Sequence, residues 1–256
     1  MILAFAFYIN QETVWNLEFG IWNLESGIWN LEFGRMPITR LYLVRHGQSA
    51  GNAEGRFGGH SPTPLSELGL EQAEITAQTL AKERISAIYS SDLHRAVQTA
   101  TPLAELLDLP IIKTSAFRER KVGVLEGKTF DESKAQHPND YYALINRNIH
   151  HVITEGESYR QLLRRATKAL HEVIRTHQGE NIVIFSHTGA ICYLTLYLIG
   201  AINRKTKTTP WLVTSNCGIN RFEIRSRQNI RVLALNDTRH LLNITGNDAF
   251  AATDSK

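Results

Sequence analysis

Residues 182–185, Ile-Val-Ile-Phe, form a run with no polar residue on either face. A strand that alternates can turn one face to water. One that does not must be covered on both sides, as the strands of a parallel sheet are. Residues 181–185 therefore predict a sheet with helices packed on both faces. The rest of the chain agrees. Residues 41–44 and 87–89 read as two further short strands. Leu70, Ala73, Ala77 and Leu80 share one face of a helix that Ser66 can cap. Leu93, Ala96, Val97, Ala100, Leu103 and Leu107 trace a second helix, and residues 159–174 a third, closed by Gly179. An apolar helix begins at Ala190, and residues 221–224 and 230–235 read as a hairpin across 226–229. The fold class that follows is α/β: a three-layer sandwich, its sheet mostly parallel with an antiparallel edge. Residues 124–156 are polar and weakly periodic, and read as a partly helical cap insertion.

Composition narrows the function classes. The chain has 256 residues, 43% of them hydrophobic and 21% charged, enough apolar side chain for a core and incompatible with wholesale disorder. Its two cysteines, Cys192 and Cys217, cannot make a disulfide framework or a four-cysteine zinc site, so a reducing, cytoplasmic setting is expected. The formal charge of +3 is unevenly spread, with Glu12, Glu18, Glu25 and Glu32 concentrated in the first 35 residues. The basic remainder favours an anionic substrate, but no basic cluster points to nucleic acid. Residues 1–9 lack the basic start of a secretory signal, and residues 190–202 fall short of the ~20 that a membrane span needs.

Residues 1–35 stand apart. WNLEFGI (15–21), WNLESGI (22–28) and WNLEFGR (29–35) repeat one heptad, each copy carrying glycine at the same place. Glycine costs roughly 1 kcal/mol against alanine in a helix, so a sustained helix is not expected here. An aromatic docking arm is one reading. The preferred one is a non-native or disordered N-terminal extension, a translated non-coding repeat with Met36 as the expected start and the domain spanning 36–256.

Ligands of open α/β sheets bind outside the carboxyl ends of the strands. Here three strand ends carry Arg45-His46-Gly47, Ser91 to Arg95, and Ser186-His187-Thr188-Gly189. Parallel strands would bring two histidines and two arginines to one edge. Arg95 falls in the first turn of its helix, where the helix dipole disfavours a cation unless the two share an anion. Several charge-assisted donors around one point suit a phosphoryl group. The ten histidines include no metal-binding spacing such as HExxH, and His150-His151 reads as a solvated loop pair. No metal and no cofactor are expected.

These residues also carry a resemblance. Arg45-His46-Gly47-Gln48-Ser49-Ala50-Gly51-Asn52 resembles the RHG-x-[ST]-x-x-N signature of the histidine phosphatase superfamily, in its phosphoglycerate mutase-like branch. The similarity continues in order through Pro64 to Gly69, Ser90 to Ala100, Arg118-Glu119-Arg120 with Gly123, Glu126 and Gly127, then Gly156-Glu157-Ser158 and Ser186 to Gly189. The resemblance implies that His46 attacks phosphorus and becomes a phosphohistidine. Arg45, Arg95 and His187 would hold the non-bridging oxygens, and Glu119 would protonate the leaving alkoxide and later deprotonate water. Gln48, Ser49, Asn52, Gly58 and Thr188 are the implied substrate contacts. The chain departs from the pattern at Gly58-Gly59-His60, where many members have Gln-Gly and an acidic residue, and at Val124-Leu125, which lacks a frequent tryptophan.

The implied activity is metal-independent hydrolysis of a small phosphate ester, with neither nucleic acid nor membrane as partner, by a monomer or homodimer. A bisphosphoglycerate-dependent mutase is the alternative on the same core. Against it, only 28 residues separate Gly127 from Gly156, and no adjacent arginine pair lies among them. A non-catalytic phosphate-binding module is the other alternative; His46, Glu119 and His187 are all present against it. Arg118, Arg120, Lys121, Tyr141, Tyr142, Arg147 and Tyr159 read equally well as a substrate-facing wall or as a solvated cap surface.

Overall fold

The computed structural model of the chain describes residues 37–203 and 205–244. The heptad segment and the expected boundary at Met36 lie outside the described residues. Six strands form one sheet: β1 (Thr39–Arg45), β2 (Ala87–Ser91), β3 (Ile111–Thr114), β4 (Asn181–Ser186), β5 (Ile219–Ser226) and β6 (Asn229–Asp237). Their order is β3-β2-β4-β1-β5-β6; the first four run parallel, and β5 and β6 form the antiparallel edge. The helices are a four-residue turn α1 (Ala50–Ala53), α2 (Glu67–Leu80), α3 (His94–Leu107), α4 (Phe130–Gln136), α5 (Pro138–Ile145), α6 (Tyr159–Thr176) and α7 (Thr188–Leu198).

Strand periodicity explains the layers. Leu41 and Leu43 of β1 and Ile182 and Ile184 of β4 pack with Ala166, Leu170 and Val173 of α6 and Ile191 and Leu194 of α7. Tyr42, Val44, Val183 and Phe185 point the other way, onto Ala77 and Leu80 of α2 and Ala100 and Leu103 of α3. Successive residues of one strand thus enter opposite cores, which is why residues 182–185 are apolar throughout. Each fully buried Leu, Ile or Phe contributes about 1.5–3 kcal/mol relative to exposure.

A third cluster joins the cap to the sandwich. Phe57, Val122, Leu125, Leu144, Ile149 and Ile153 pack on Tyr159, Leu162 and Leu163 of α6 and on Cys192, Tyr193 and Leu196 of α7. Capping boxes at Thr129/Glu132 and Ser158/Gln161 fix where α4 and α6 begin. Residues 124–156, read above as a cap insertion, contain α4 and α5.

Two readings change. β3 was not foreseen: it is a four-residue, half-exposed edge strand after Pro110, too short to display a period. His151 is not simply solvated, because its Nε2 lies 2.7 Å from Oδ1 of the buried Asp140. Among the described residues no helix is long and apolar enough to cross a membrane.

Candidate active site

Parallel pairing sets the three strand ends level. Arg45 is in register with Ser186, and Ser90 with Phe185, so β1, β4 and β2 release their next residues at one edge. The chain leaves β1 through Gly47, where a side chain is excluded: a Cβ there would stand 2.5 Å from the carbonyl oxygen of Gly69. That close approach lets α2 begin against the site, with Ser66 capping it through a 3.1 Å bond from the Gly69 amide.

His46 is buried, and both ring nitrogens are spoken for. Nδ1 lies 2.7 Å from the Gly47 carbonyl oxygen, which only accepts, so Nδ1 carries the proton and Nε2 the lone pair. Arg95 Nε donates to Nε2 at 3.2 Å. Burial first, then the Arg95 and Arg45 guanidinium charges, hold the His46 pKa well below its usual 6.5, so the ring is neutral. A neutral imidazole whose Nε2 lone pair carries no proton and accepts from an arginine is already in the tautomer a nucleophile needs.

Arg95 is itself buried, and its Nη1 and Nη2 donate to the carbonyls of Ser61 and Gly59 at 3.0 and 2.9 Å. Desolvation brings its pKa down to about 10, which leaves it charged at neutral pH. Arg45 is held by Nη1 on the Thr214 carbonyl at 2.7 Å. The His187 ring centre is 5.1 Å from that of His46, with the planes tilted by 58°. His187 Nε2 pairs with Ser91 Oγ at 2.8 Å, while its buried Nδ1 has no protein partner. Burial again leads the causes that lower its pKa, followed by Arg95 and His46.

Glu119 comes from the segment after β3 rather than from a strand end. Its two carboxylate oxygens accept separate amides: Oε1 from Arg120 N at 2.8 Å and Oε2 from Gly189 N at 2.9 Å. The second lies in the first turn of α7, where the helix dipole favours a negative charge. Gly189 is required there, since a Cβ would collide with the Glu119 carboxylate. Gly189→Ala is therefore expected to displace the carboxylate and lower kcat/KM for an alkyl phosphate about tenfold, a part of the 10²–10⁴ that general acid catalysis supplies. Steady-state kinetics beside an unchanged circular dichroism spectrum would check this.

These groups open on a cavity of about 430 Å³. Of the expected site residues, Arg45, His46, Ser49, Asn52, Gly58, Arg95, Glu119 and Thr188 line it. His187 stands fully buried beside His46, in contact with its ring. Gln48 does not line the cavity; its Oε1 accepts a 2.9 Å bond from Ser66 Oγ at the start of α2. Ser49 and Asn52 do reach the cavity but also form the capping box of α1, so part of their hydrogen-bonding capacity serves the loop. The cap wall divides. Arg120, Tyr141, Arg147 and Tyr159 face the cavity, whereas Arg118 pairs with Asp92 at 2.6 Å and neither Lys121 nor Tyr142 lines it.

Other contributors were not singled out from the sequence. Ser91 orients His187, and Asn216 Nδ2 donates to the His46 carbonyl at 3.0 Å. Phe57, Phe130, Leu144 and Trp211 give the cavity an apolar wall. Trp211 and Thr214 belong to an irregular segment without periodicity, so only tertiary structure brings them here. Among the described residues no three His, Cys, Asp or Glu side chains gather to hold a metal ion.

The geometry agrees with known proteins. Residues 41–238 match the model of the histidine phosphatase superfamily, branch 1. A metal-independent phosphoserine phosphatase of Arabidopsis thaliana is 38% identical over 157 residues, spanning 60% of this chain and 66% of that protein. A probable phosphoglycerate mutase of Yersinia pestis is 34% identical over 163 residues, or 64% and 76% of the two chains. A mycobacterial glucosyl-3-phosphoglycerate phosphatase solved with VO3 superposes with a TM-score of 0.68 at 26% identity, covering 78% of this chain and 99% of its own. Since the match runs from β1 into β6 and takes in His46, Arg95, Glu119 and His187, the chain belongs to branch 1 of the histidine phosphatase superfamily.

Proposed function

We propose that the chain hydrolyses monophosphate esters of small metabolites in two displacements through a phosphohistidine, without a metal. The observation that carries this reading is the state of His46: neutral, its Nδ1 proton tied to Gly47, its Nε2 lone pair 3.2 Å from Arg95 Nε. In the first step Nε2 forms a bond to phosphorus as the ester P–O bond breaks. Arg45 and Arg95 balance the charge on the phosphoryl oxygens, and His187 Nδ1 is the atom left to meet one of them. The Glu119 carboxyl gives its proton to the departing alkoxide. In the second step Glu119 takes a proton from water, the water oxygen bonds to phosphorus, and the P–N bond breaks to return neutral His46 and inorganic phosphate.

The leaving group would occupy the cap side of the cavity. Its wall of Phe57, Phe130, Leu144, Tyr141 and Trp211, with Arg120 and Arg147 among them, suits an alcohol with an apolar face and a hydrogen-bond acceptor. A monomer or a homodimer with one site per subunit is the expected assembly. The two buried free thiols fit a cytoplasmic setting.

The test is turnover of p-nitrophenyl phosphate in chelator, with isolation of an acid-labile, base-stable phosphoenzyme. Steady hydrolysis with such an intermediate is expected. Inactivity towards every ester beside tight phosphate binding would favour a binding module. Bisphosphoglycerate-dependent interconversion of 2- and 3-phosphoglycerate would favour the mutase.

A further inference from the structure

Between the phosphate clamp and the acid lies a three-residue piece of chain, Gly59-His60-Ser61, that is hydrogen-bonded to both. The carbonyls of Gly59 and Ser61 accept the two terminal nitrogens of Arg95, at 2.9 and 3.0 Å. The His60 amide donates to Glu126 Oε1 at 3.1 Å. The His60 ring reaches the other way: its Nε2 lies 2.8 Å from the carbonyl oxygen of Glu119, which can only accept, so Nε2 carries a proton and donates it. His60 is half-buried and does not line the cavity, so it acts through its neighbours rather than on substrate.

We propose that His60 is a positioning residue that sets Glu119 against the phosphate clamp, and that its contribution is to proton delivery rather than to phosphate capture. This rests on the hydrolytic reading above. The Glu119 carbonyl has two lone pairs, and each has a donor from a different element. Arg165 Nη2, on α6, supplies one at 2.8 Å, and the same guanidinium also holds the carbonyls of Ala116 and Arg118 at 2.8 and 2.9 Å. His60 supplies the other. Arg165 therefore ties the Glu119 peptide to α6, whereas His60 alone ties it to the loop that grips Arg95. Without the His60 ring, the acid keeps its fixture to the sandwich but loses its fixture to the clamp.

That separation predicts a selective defect. A proton must reach the leaving oxygen of an alkyl phosphate, because an alkoxide is a poor leaving group. A nitrophenolate departs without one. Positioning errors of about 1 Å cost up to 10²-fold where alignment matters, so His60→Ala should reduce kcat/KM for glycerol 2-phosphate by about tenfold or more. For p-nitrophenyl phosphate the change should stay within about threefold, because its leaving group gains little from general acid catalysis. The ratio kcat/KM is the right reading, since it covers only the steps up to loss of the alcohol and a slow dephosphorylation cannot mask it. His60→Gln places an amide N–H near the position of Nε2, and is expected to restore most of the glycerol 2-phosphate activity.

The experiment measures both esters with the full chain and both variants, alongside the inhibition constant of inorganic phosphate. The selective loss, its recovery in His60→Gln and an unchanged phosphate constant would support the positioning role. An equal fall for both esters, a weakened phosphate constant, or full activity in His60→Ala would overturn it and leave the hydrolytic reading intact. No turnover of either ester by the native chain would overturn both together.

Discussion

Replacing His46 with alanine is expected to lower kcat/KM for p-nitrophenyl phosphate by about 10⁴-fold or more, and to abolish the covalent phosphoenzyme. No other side chain at the site can substitute. His187 is fully buried, with Nε2 committed to Ser91 Oγ, and its ring centre lies 5.1 Å from that of His46. The same variant should bind inorganic phosphate with an affinity changed only a few-fold. Arg95 would lose its Nε contact to the His46 ring, yet its Nη1 and Nη2 would stay on the Ser61 and Gly59 carbonyls, and Arg45 on Thr214. Labelling with a phosphate donor, quenching in base and mapping the labelled peptide would locate the nucleophile. Label in the native chain on any residue but His46, or turnover persisting in His46→Ala, would end the phosphohistidine mechanism.

The legibility of this site in the sequence follows the range of the interactions that build it. Arg45, His46 and His187 could be found because Arg45 ends a strand and the two histidines each directly follow one, the strand pattern is local, and parallel pairing then places them together. Arg95 was legible from an electrostatic anomaly, a cation in the first turn of α3, which its pairing with His46 Nε2 explains. Glu119 has no such signal. It follows β3, the strand the pattern missed, and only the resemblance identified it; its role depends on the Gly189 amide, 70 residues away. Gln48 shows a similar dependence. It lies two residues from His46, but the chain turns after Gly47 and brings the Gln48 side chain to Ser66. Cap chemistry was the least legible part. Arg118 and Arg120 are two residues apart in similar company, yet one pairs with Asp92 at the surface and the other lies buried, its guanidinium 4.0 Å from the Tyr159 ring. No local pattern distinguishes them, because the choice is made by what α6 brings alongside.

Between pH 7.5 and 5.5 the folded chain is expected to lose up to about 3 kcal/mol of stability through the two histidines that make the site reactive. His46 and His187 are both buried, and desolvation and the Arg95 charge hold both well below 6.5 in the folded state. In the unfolded chain each titrates near ~6.5. Below that value the unfolded state binds protons that the folded state refuses, so unfolding gains about 1.4 kcal/mol per pH unit for each ring. Stability is therefore highest above pH 6.5 and falls as pH drops from there towards the lower folded-state values. The carboxylates do not confuse this window. Asp92 and Asp140 are held below their usual range, and Asp237 at about 2, so the stability they confer is lost only in stronger acid. Urea unfolding at the two pH values would measure the loss, and His46→Gln, which removes one of the two rings, should halve it. Equal stability at pH 7.5 and 5.5 would mean that the histidines take up protons in the folded state. In that case His46 would be the neutral nucleophile the mechanism requires only above about pH 6.5. The same burial that costs the chain stability in mild acid is what keeps the lone pair free, so the acid limb of kcat/KM should likewise fall below pH 6.5.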